Sequence, residues 1–252
     1  MIDIEDHGPI RELRLARPPV NALSAALLAR LEACLEDAVA DGARAIVLSG
    51  RPGVFSAGLD LREVLGPDPD SLVRLVKAFY RVQERLARLP IPAVIAITGH
   101  CPAGGTVLAT LCDYRVMAAG PFLLGLNEVQ IGLYPGSTVY RVFERLVGTA
   151  QAAVLLTAGR MLEPLAAQRV GLVDEVVEAG QVVARALEYA RELAALPPQA
   201  FARTRALVRR DLVKLFDEPE ESLESLVLTG WVTDETRERL ARMAGSQSDS
   251  RA

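Results

Sequence analysis

The segments FSAGLDL, at residues 55–61, and GHCPAGG, at residues 99–105, decide which fold and which site the sequence predicts. Each is a turn of small residues that follows a short apolar stretch, and small residues allow a ligand to approach the main chain closely. When two such turns aim their main-chain N–H groups at one carbonyl oxygen, they form the two halves of an oxyanion hole. The two segments therefore predict a site that is built mainly from backbone.

Each segment also has a simpler interpretation. Glycine-rich loops often do no more than connect a strand to a helix, and the pattern of residues 55–61 alone favours that reading. The loop lacks the Lys-Ser/Thr ending of a phosphate-binding P-loop and the spacing of a dinucleotide fingerprint. In the second segment, Gly104-Gly105 permits close packing between strand and helix, and this role is compatible with an oxyanion hole.

A third segment, GLNEVQIG at residues 125–132, contributes one carboxylate in apolar surroundings. Desolvation among Leu126, Val129 and Ile131 is expected to raise the pKa of Glu128 toward neutral pH, as suits a group that both accepts and returns a proton. The alternative is a solvated carboxylate or a salt-bridge partner, and the pattern alone favours that alternative.

Outward from these segments, strand and helix patterns alternate through the first two thirds of the chain. Residues 93–97, AVIAI, have no polar member, which is typical of a strand buried on both faces. Ser24 and Ser71 are predicted N-caps of two helices, and Gly104 opens a third. Further strands are predicted at 10–15, 43–48 and 114–118. This order predicts an α/β fold with crossover connections.

From residue 137 onward the pattern is mostly helical, apart from a short strand at 172–177. Pro197-Pro198 is the clearest boundary in the chain. It predicts a core domain at 1–196 and a C-terminal helical region at 197–244, with helices at about 199–216 and 219–243. The polar tail at 245–252 is expected to be disordered.

Composition excludes several classes of function. The chain has 252 residues, 50% of them hydrophobic, with a net charge of −4, and this acidic balance argues against a general nucleic-acid binder. A basic stretch at 203–210 is interpreted as an amphipathic helix, with Phe201, Leu207 and Val208 toward the core and the arginines toward solvent. RNA binding by this stretch is the non-enzymatic alternative. It is disfavoured because no aromatic residues are interleaved for base stacking.

The three cysteines form no CxxC pair, so we expect neither a disulfide framework nor a metal site, and a reducing, cytoplasmic setting. The sequence contains no run of about 18 apolar residues, so no membrane span is predicted. His100 is interpreted as a packing or hydrogen-bonding group rather than a base. Cys101 has no partner base and is not expected to be a nucleophile. Asp60 and Asp113 are interpreted as caps of local structure.

In order and spacing, the three segments resemble the crotonase family, the enoyl-CoA hydratase/isomerase group, from residue 10 through residue 177. The amino-acid sequences of the segments are most similar to those of the monofunctional Δ3,Δ2-enoyl-CoA isomerases. The resemblance implies a crotonase-like α/β superhelix of ββα turns with a C-terminal helical trimerisation region. It also implies a homotrimer or dimer of trimers, an acyl-CoA thioester as substrate, no separate cofactor, and a place in fatty acid metabolism and β-oxidation.

The same resemblance assigns roles to individual residues. Leu59 and Gly104 are implied to donate the two oxyanion N–H groups, and Glu128 to be the catalytic acid and base. The acyl-CoA is implied to lie along a set of residues that includes these two donors: Ala57, Gly58, Leu59, Asp60, Leu61, Gly104 and Asn127. Tyr134-Pro135-Gly136-Ser137 resembles the hydratase turn instead, so acyl preference is left open.

The number of carboxylates separates the reactions of the family. Hydratases carry a glutamate three residues after the oxyanion glycine, where this chain has Val107. Adding water requires a polarised nucleophile as well as a proton donor, whereas moving a double bond from C3 to C2 requires one acid/base. Glu128 alone therefore indicates an isomerase, with an enoyl-CoA hydratase or another crotonase-type lyase as the alternative.

Overall fold

The computed structural model describes residues 1–66, 68–219 and 231–240. Its main sheet has six strands in the order β1-β2-β3-β5-β7-β9, in which the first pair is antiparallel and the others are parallel. The strands are β1 (Ile2–His7), β2 (Ile10–Leu15), β3 (Ala45–Ser49), β5 (Ala93–Ile97), β7 (Tyr114–Ala118) and β9 (Glu175–Val177). The predicted α/β class is confirmed, and β5 is buried throughout as its apolar sequence predicted.

The strands of a second, smaller parallel sheet alternate along the chain with those of the first. The second sheet consists of β4 (Gly53–Val54), β6 (Gly99–Pro102) and β8 (Leu124–Gly125), which directly follow β3, β5 and β7 respectively. The first half of the segment predicted as a turn at 99–105 is thus a strand. A β-carbon on Gly99 would lie 1.9 Å from the carbonyl carbon of Gly53, so this close approach of the two strands requires glycine.

Helices connect the strand pairs and complete the repeating ββα pattern. They are α1 (Ala25–Ala40), α2 (Leu61–Val64), α3 (Pro69–Arg88), α4 (Gly104–Thr110), α5 (Ser137–Val147), α6 (Thr149–Ala158), α7 (Pro164–Arg169), α8 (Val182–Ala194), α9 (Pro198–Val208) and α10 (Arg210–Asp217). Residues 234–240 are also helical. Among the described residues, none of the helices combines the length and the apolar character of a membrane span.

The two faces of the main sheet bury different helices. Leu13, Leu48 and Ile95 point into the larger core with α1, α3 and α4. Val47 and Val94, the alternate residues, pack against α8. Because successive side chains of a strand point to opposite faces, the continuously apolar β3 and β5 supply both layers.

Of the two predicted N-caps, one is confirmed and one is wrong. The Ser24 Oγ accepts a hydrogen bond from the Leu27 N–H at 3.2 Å at the start of α1. Ser71 lies inside α3, and Asp68 is the N-cap, with its carboxylate accepting from the Asp70 N–H at 3.0 Å. The physical reason is Pro69, which suits the first helical position because its missing N–H would have no partner there.

The C-terminal prediction is partly corrected. The single helix expected at 199–216 is two helices, α9 and α10, which meet at Arg209. Residues 231–233 are not helical, so one continuous helix at 219–243 is also wrong. The remainder of that helix, and the tail at 245–252, lie outside the described residues. The domain boundary at Pro197 stays a prediction.

The basic stretch departs from the expectation at four positions, although Arg203 and Arg210 are exposed as expected and Phe201 is partly buried. Arg205 and Arg209 are buried, at 4% and 6% exposure, whereas Leu207 and Val208 are exposed, at 60% and 56%. The cause is a set of buried acceptors. Arg205 donates to the Leu86 carbonyl at the end of α3 at 3.0 Å, and Arg209 donates to the Leu111 carbonyl after α4 at 2.7 Å.

Both arginines also bind Asp113, at 3.0 Å from Arg205 and 2.7 Å from Arg209. The Asp113 carboxylate in turn accepts from the Ala93 N–H at 2.8 Å, so it ties β5 to α9 instead of capping local structure as expected. These two arginines are therefore structural and are not available to bind RNA.

We expect Arg205→Met to lower the free energy of unfolding by about 3–5 kcal/mol, because it leaves buried carbonyls and part of the Asp113 charge without a partner. Urea denaturation measures this change. Arg203→Met is the matched control, because Arg203 lies on the same helix and is exposed. It should change stability by no more than about 0.5 kcal/mol. Equal effects of the two substitutions would contradict the structural role of Arg205.

Candidate active site

The three sequence segments meet at one edge of the small sheet. Strand β4 pairs with β6, and β6 pairs with β8, all in parallel. Residues 55–59, 103–104 and 126–128 come directly after the carboxyl ends of these three strands. In parallel sheets this edge is where ligands bind, because the loops that leave the strands converge there.

The hydrogen bonds within the first turn leave the Leu59 N–H without an acceptor among the described residues. The neighbouring amides are used: the Gly58 N–H donates to the Ser56 Oγ at 3.1 Å, and the Asp60 N–H donates to the Leu23 carbonyl at 3.1 Å. The Leu59 N–H donates to no acceptor within the described residues. It is therefore free to bind a ligand.

Asn21, which the sequence analysis did not select, holds this turn in place. Asn21 is fully buried, donates to the Phe55 carbonyl at 2.9 Å, and accepts through its own carbonyl from the Ser56 hydroxyl at 2.8 Å. It has a positive φ of 51°, a conformation in which asparagine is enriched. The turn-forming sequence Pro18-Pro19-Val20-Asn21 was the available signal.

The second turn presents the Gly104 amide in the same way. Ala103 has φ 48° and ψ −120°, a backbone conformation that is costly for a residue with a side chain. It is held there because its N–H donates to the Gly125 carbonyl at 2.8 Å and its carbonyl accepts from the Val107 N–H at 3.0 Å. The Gly104 N–H, at the first position of α4, has no acceptor within the parts of the chain that the structure describes. The α4 dipole favours negative charge at this end.

The two free amides are adjacent. A β-carbon built on Gly104 would lie 3.4 Å from the Leu59 nitrogen, and one built on Gly58 would lie 3.3 Å from the Gly104 nitrogen. Glycine at both positions leaves a space between the turns that a small oxygen atom can enter. This is the geometry that an oxyanion hole requires.

The outer side of the first turn is accessible. Ala57 and Leu61 are exposed, while Asp60 is buried, N-caps α2 and pairs with Arg17 at 2.5 Å. Asp60 thus caps local structure as expected. Arg17, which sequence reasoning did not select, holds the start of α2 against the loop before α1 through this ion pair and a 2.8 Å bond to the Ala22 carbonyl.

Glu128 lies in a short 3-10 helix, Glu128–Ile131, three residues beyond β8. It is 8% exposed, and its Oε2 has no hydrogen-bond partner among the described residues. Burial raises the pKa of Glu128 from 4.5 to about 7. The Asn127 Oδ1 beside it is also buried and unpartnered within the described chain. Two unpartnered acceptors side by side mark this loop as a place for a ligand.

We expect the wild type to lose stability relative to Glu128→Gln as pH rises. With the pKa near 4.5 in the unfolded chain and about 7 in the folded chain, folding takes up a proton in this window. The favourable contribution is complete below pH 4.5 and is lost as pH rises through 7. Between pH 5 and pH 8, Glu128→Gln should gain about 2 to 3 kcal/mol over the wild type in urea denaturation. A difference independent of pH would contradict the raised pKa.

The side chains around Gly104 and one turn along α4 include three that are apolar. Val107 is almost fully buried on α4, one turn beyond Gly104. A β-carbon on Gly104 would lie 3.2 Å from Leu23 Cδ1 and 3.4 Å from Phe79 Cζ. None of these three side chains can hold or activate water, since none has a polar group.

The residues interpreted as inert in the sequence behave as expected. The His100 Nδ1 accepts from the Leu123 N–H at 3.2 Å, which is a hydrogen-bonding role. Cys101 and Cys112 are buried, and burial raises the pKa of both thiols, that of Cys112 to about 12, so neither forms a thiolate near neutral pH.

One group of possible metal ligands, Glu5, His7 and Glu12, lies on the β1–β2 hairpin rather than at the three loops. His7 and Ser49 hydrogen-bond the buried Glu12 at 3.0 and 2.5 Å, which accounts for its burial without an ion. The expectation that the protein has no metal site stays a prediction.

Comparisons with known proteins are consistent across sequence and structure. The chain matches the family model described as Enoyl-CoA hydratase/isomerase over residues 5–239. It is 38% identical over 213 residues to Enoyl-CoA delta isomerase 1, mitochondrial, from Homo sapiens, covering 83% of this chain and 70% of that protein. It is 31% identical over 240 residues to a probable enoyl-CoA hydratase from Rhizobium meliloti (strain 1021), covering 94% and 92% of the two chains.

The structural comparison covers the full chain. The crystal structure of human mitochondrial delta3-delta2-enoyl-CoA isomerase matches with a TM-score of 0.93 and 33% identity, over 100% of this chain and 99% of that one. A structure of an enoyl-CoA hydratase/isomerase family protein from Psudomonas syringae matches with a TM-score of 0.83 and 27% identity, over 90% and 96%.

Proposed function

Because the chain belongs to the enoyl-CoA hydratase/isomerase family, we propose that it isomerises 3-enoyl-CoA to 2-enoyl-CoA with a single glutamate as acid and base. The observation that carries this proposal is the combination of two adjacent free amides with one buried carboxyl group of raised pKa. A thioester enolate requires both, since its oxygen becomes negative when a proton leaves the neighbouring carbon.

The reaction proceeds in two proton transfers. The Glu128 carboxylate removes a proton from C2, and the electron pair of that bond moves to give a dienolate whose oxygen accepts hydrogen bonds from the Leu59 and Gly104 amides. The Glu128 carboxylic acid then returns the proton to C4, the C2–C3 double bond forms, and the thioester carbonyl is restored. No electron leaves or enters the substrate, so the reaction uses no redox cofactor.

Hydration is the competing activity, and hydratases are among the relatives. It requires a second group that holds and polarises water. Val107 occupies the place where hydratases of the family carry that glutamate, and it is buried among apolar side chains. The site therefore favours isomerisation over hydration.

Product mass distinguishes the two activities. Purified protein is incubated separately with 3-enoyl-CoA and 2-enoyl-CoA, and the thioesters are analysed by mass spectrometry after chromatography. We expect conversion of 3-enoyl-CoA to a product of the same mass that coelutes with 2-enoyl-CoA. Gain of the mass of water from 2-enoyl-CoA, without isomerisation, would contradict the proposal and favour a hydratase.

The dependence of rate on pH should follow Glu128. The base must be ionised to accept the C2 proton, and its pKa is about 7. We expect kcat/KM to rise about tenfold per pH unit below pH 6 and to level off above about pH 7.5. Initial rates between pH 5 and pH 9 test this, and a flat profile across the whole range would show that Glu128 is not the proton acceptor.

The coenzyme A part is proposed to lie along Ala57 to Leu61, where Ala57 and Leu61 are exposed, with Asn127 Oδ1 available to accept a hydrogen bond from a pantetheine amide. Moving a double bond to C2 suits fatty acid metabolism and β-oxidation.

A cytoplasmic setting is supported by three unpaired, buried cysteines. We also propose a homotrimer or dimer of trimers, in which a neighbouring copy would cover the exposed Leu207 and Val208 on α9, and light scattering tests it.

A further inference from the structure

A small apolar cluster lies beside the candidate site and is separate from the main cores. Its buried members are Leu72 and Val76 on α3, Leu133, and Trp231. Leu59 and Ile131 pack against it. The cluster thus adjoins the residue that carries one free amide and the loop that carries Glu128.

Trp231 is fixed in this cluster by hydrogen bonds to the loop after Glu128. Its indole Nε1–H donates to the Tyr134 carbonyl at 2.7 Å, and the indole is 8% exposed. Five residues on, the Thr236 hydroxyl donates to the Gly132 carbonyl at 2.8 Å. Because two main-chain carbonyls of one loop hold this segment, the indole is a rigid wall rather than a mobile side chain.

The position of this cluster favours a path for the acyl chain of a substrate toward it. When the thioester oxygen is bound by the Leu59 and Gly104 amides, C2 and C4 must both be within reach of Glu128. Beyond C4 the chain is an alkyl tail, which is stabilised only where it contacts apolar surface. The cluster that contains Trp231 is an apolar surface in contact with both Leu59 and Ile131.

Resting on the proposed function, we propose that Trp231 closes the acyl pocket and limits the enzyme to short-chain 3-enoyl-CoA thioesters. A longer tail would have to displace a buried indole that is hydrogen-bonded to the Tyr134 carbonyl. Methylene groups that fit a pocket change kcat/KM by about 10- to 200-fold each, so a fixed wall produces a sharp limit.

The test is the ratio of kcat/KM for 3-dodecenoyl-CoA to that for 3-hexenoyl-CoA. This ratio does not depend on the fraction of protein that is folded. We expect a ratio well below one in the wild type and a rise of at least about tenfold in Trp231→Ala. Leu72→Ala opens the same cluster from α3 and should raise the ratio as well. Leu165→Ala is the matched control on α7, where the side chain is 60% exposed, and should leave the ratio unchanged.

Equal activity of the wild type toward both chain lengths would overturn the proposal, as would ratios that stay within about twofold in both cluster variants. Titration calorimetry with hexanoyl-CoA and dodecanoyl-CoA gives the same comparison from the two Kd values, without turnover. A protein that prefers the short thioester in binding but isomerises neither enoyl-CoA would contradict the proposed function while supporting the limit set by Trp231.

Discussion

We expect Glu128→Gln to lower kcat for 3-enoyl-CoA isomerisation by about a thousandfold, because general acid–base catalysis by one group contributes about 10² to 10⁴. Glutamine has the same shape but cannot accept a proton from C2. Since Glu128 Oε2 has no hydrogen-bond partner in the described chain, the substitution breaks no contact of that atom. Binding of a saturated acyl-CoA should remain close to that of the wild type, and kinetics together with calorimetry measure both properties.

Glu188→Gln is the matched control for this substitution. Glu188 lies on α8 with 64% of its side chain exposed, so the same chemical change there should leave kcat unaltered. An unchanged rate in Glu128→Gln would remove Glu128 from the mechanism. A loss of acyl-CoA binding equal to the loss of rate would instead assign it to binding rather than to proton transfer.

Gly104→Ala should lower kcat about a hundredfold by blocking the oxyanion hole without unfolding the protein. The added methyl carbon would lie 3.4 Å from the Leu59 nitrogen, where it competes with the substrate oxygen for the space between the two amides. It would also lie 3.2 Å from Leu23 Cδ1, the end of a flexible side chain that can shift. The backbone conformation of Gly104 suits alanine, since it is the first residue of α4.

The control for Gly104→Ala is Gly180→Ala. A β-carbon on Gly180 meets nothing within 4 Å, so that substitution should leave both the rate and stability nearly unchanged. Thermal unfolding measured in parallel separates a blocked hole from a damaged fold. Full activity in Gly104→Ala would show that the substrate oxygen does not bind between these amides.

Local chemistry explains why much of the site could be predicted from the sequence. Glycine at positions 58 and 104 indicates a close approach of the main chain. A lone carboxyl group in the apolar stretch around residue 128 indicates that this group is desolvated. Both features are carried by the residue itself and its immediate neighbours. The structure places these residues at one sheet edge, whereas their roles in catalysis remain predictions that the experiments above test.

Features that depend on distant partners could not be predicted in the same way. Arg205 and Arg209 were interpreted as solvent-facing because helical periodicity cannot reveal that Asp113 and the carbonyl ends of α3 and α4 would surround them. Trp231 was not selected because nothing in its local sequence indicates the Tyr134 carbonyl that binds it. Buried polar contacts between residues about a hundred positions apart are products of the tertiary fold.

The most direct test of a single acid/base is the fate of the hydrogen at C2. A 3-enoyl-CoA deuterated at C2 is converted in ordinary water, and the 2-enoyl-CoA formed in a single turnover is analysed for deuterium at C4. Because Glu128 is buried, at 8% exposure, its proton exchanges slowly with solvent, and we predict that part of the deuterium from C2 appears at C4. A product whose C4 hydrogen comes entirely from water, with isomerisation unimpaired in Glu128→Gln, would contradict the account.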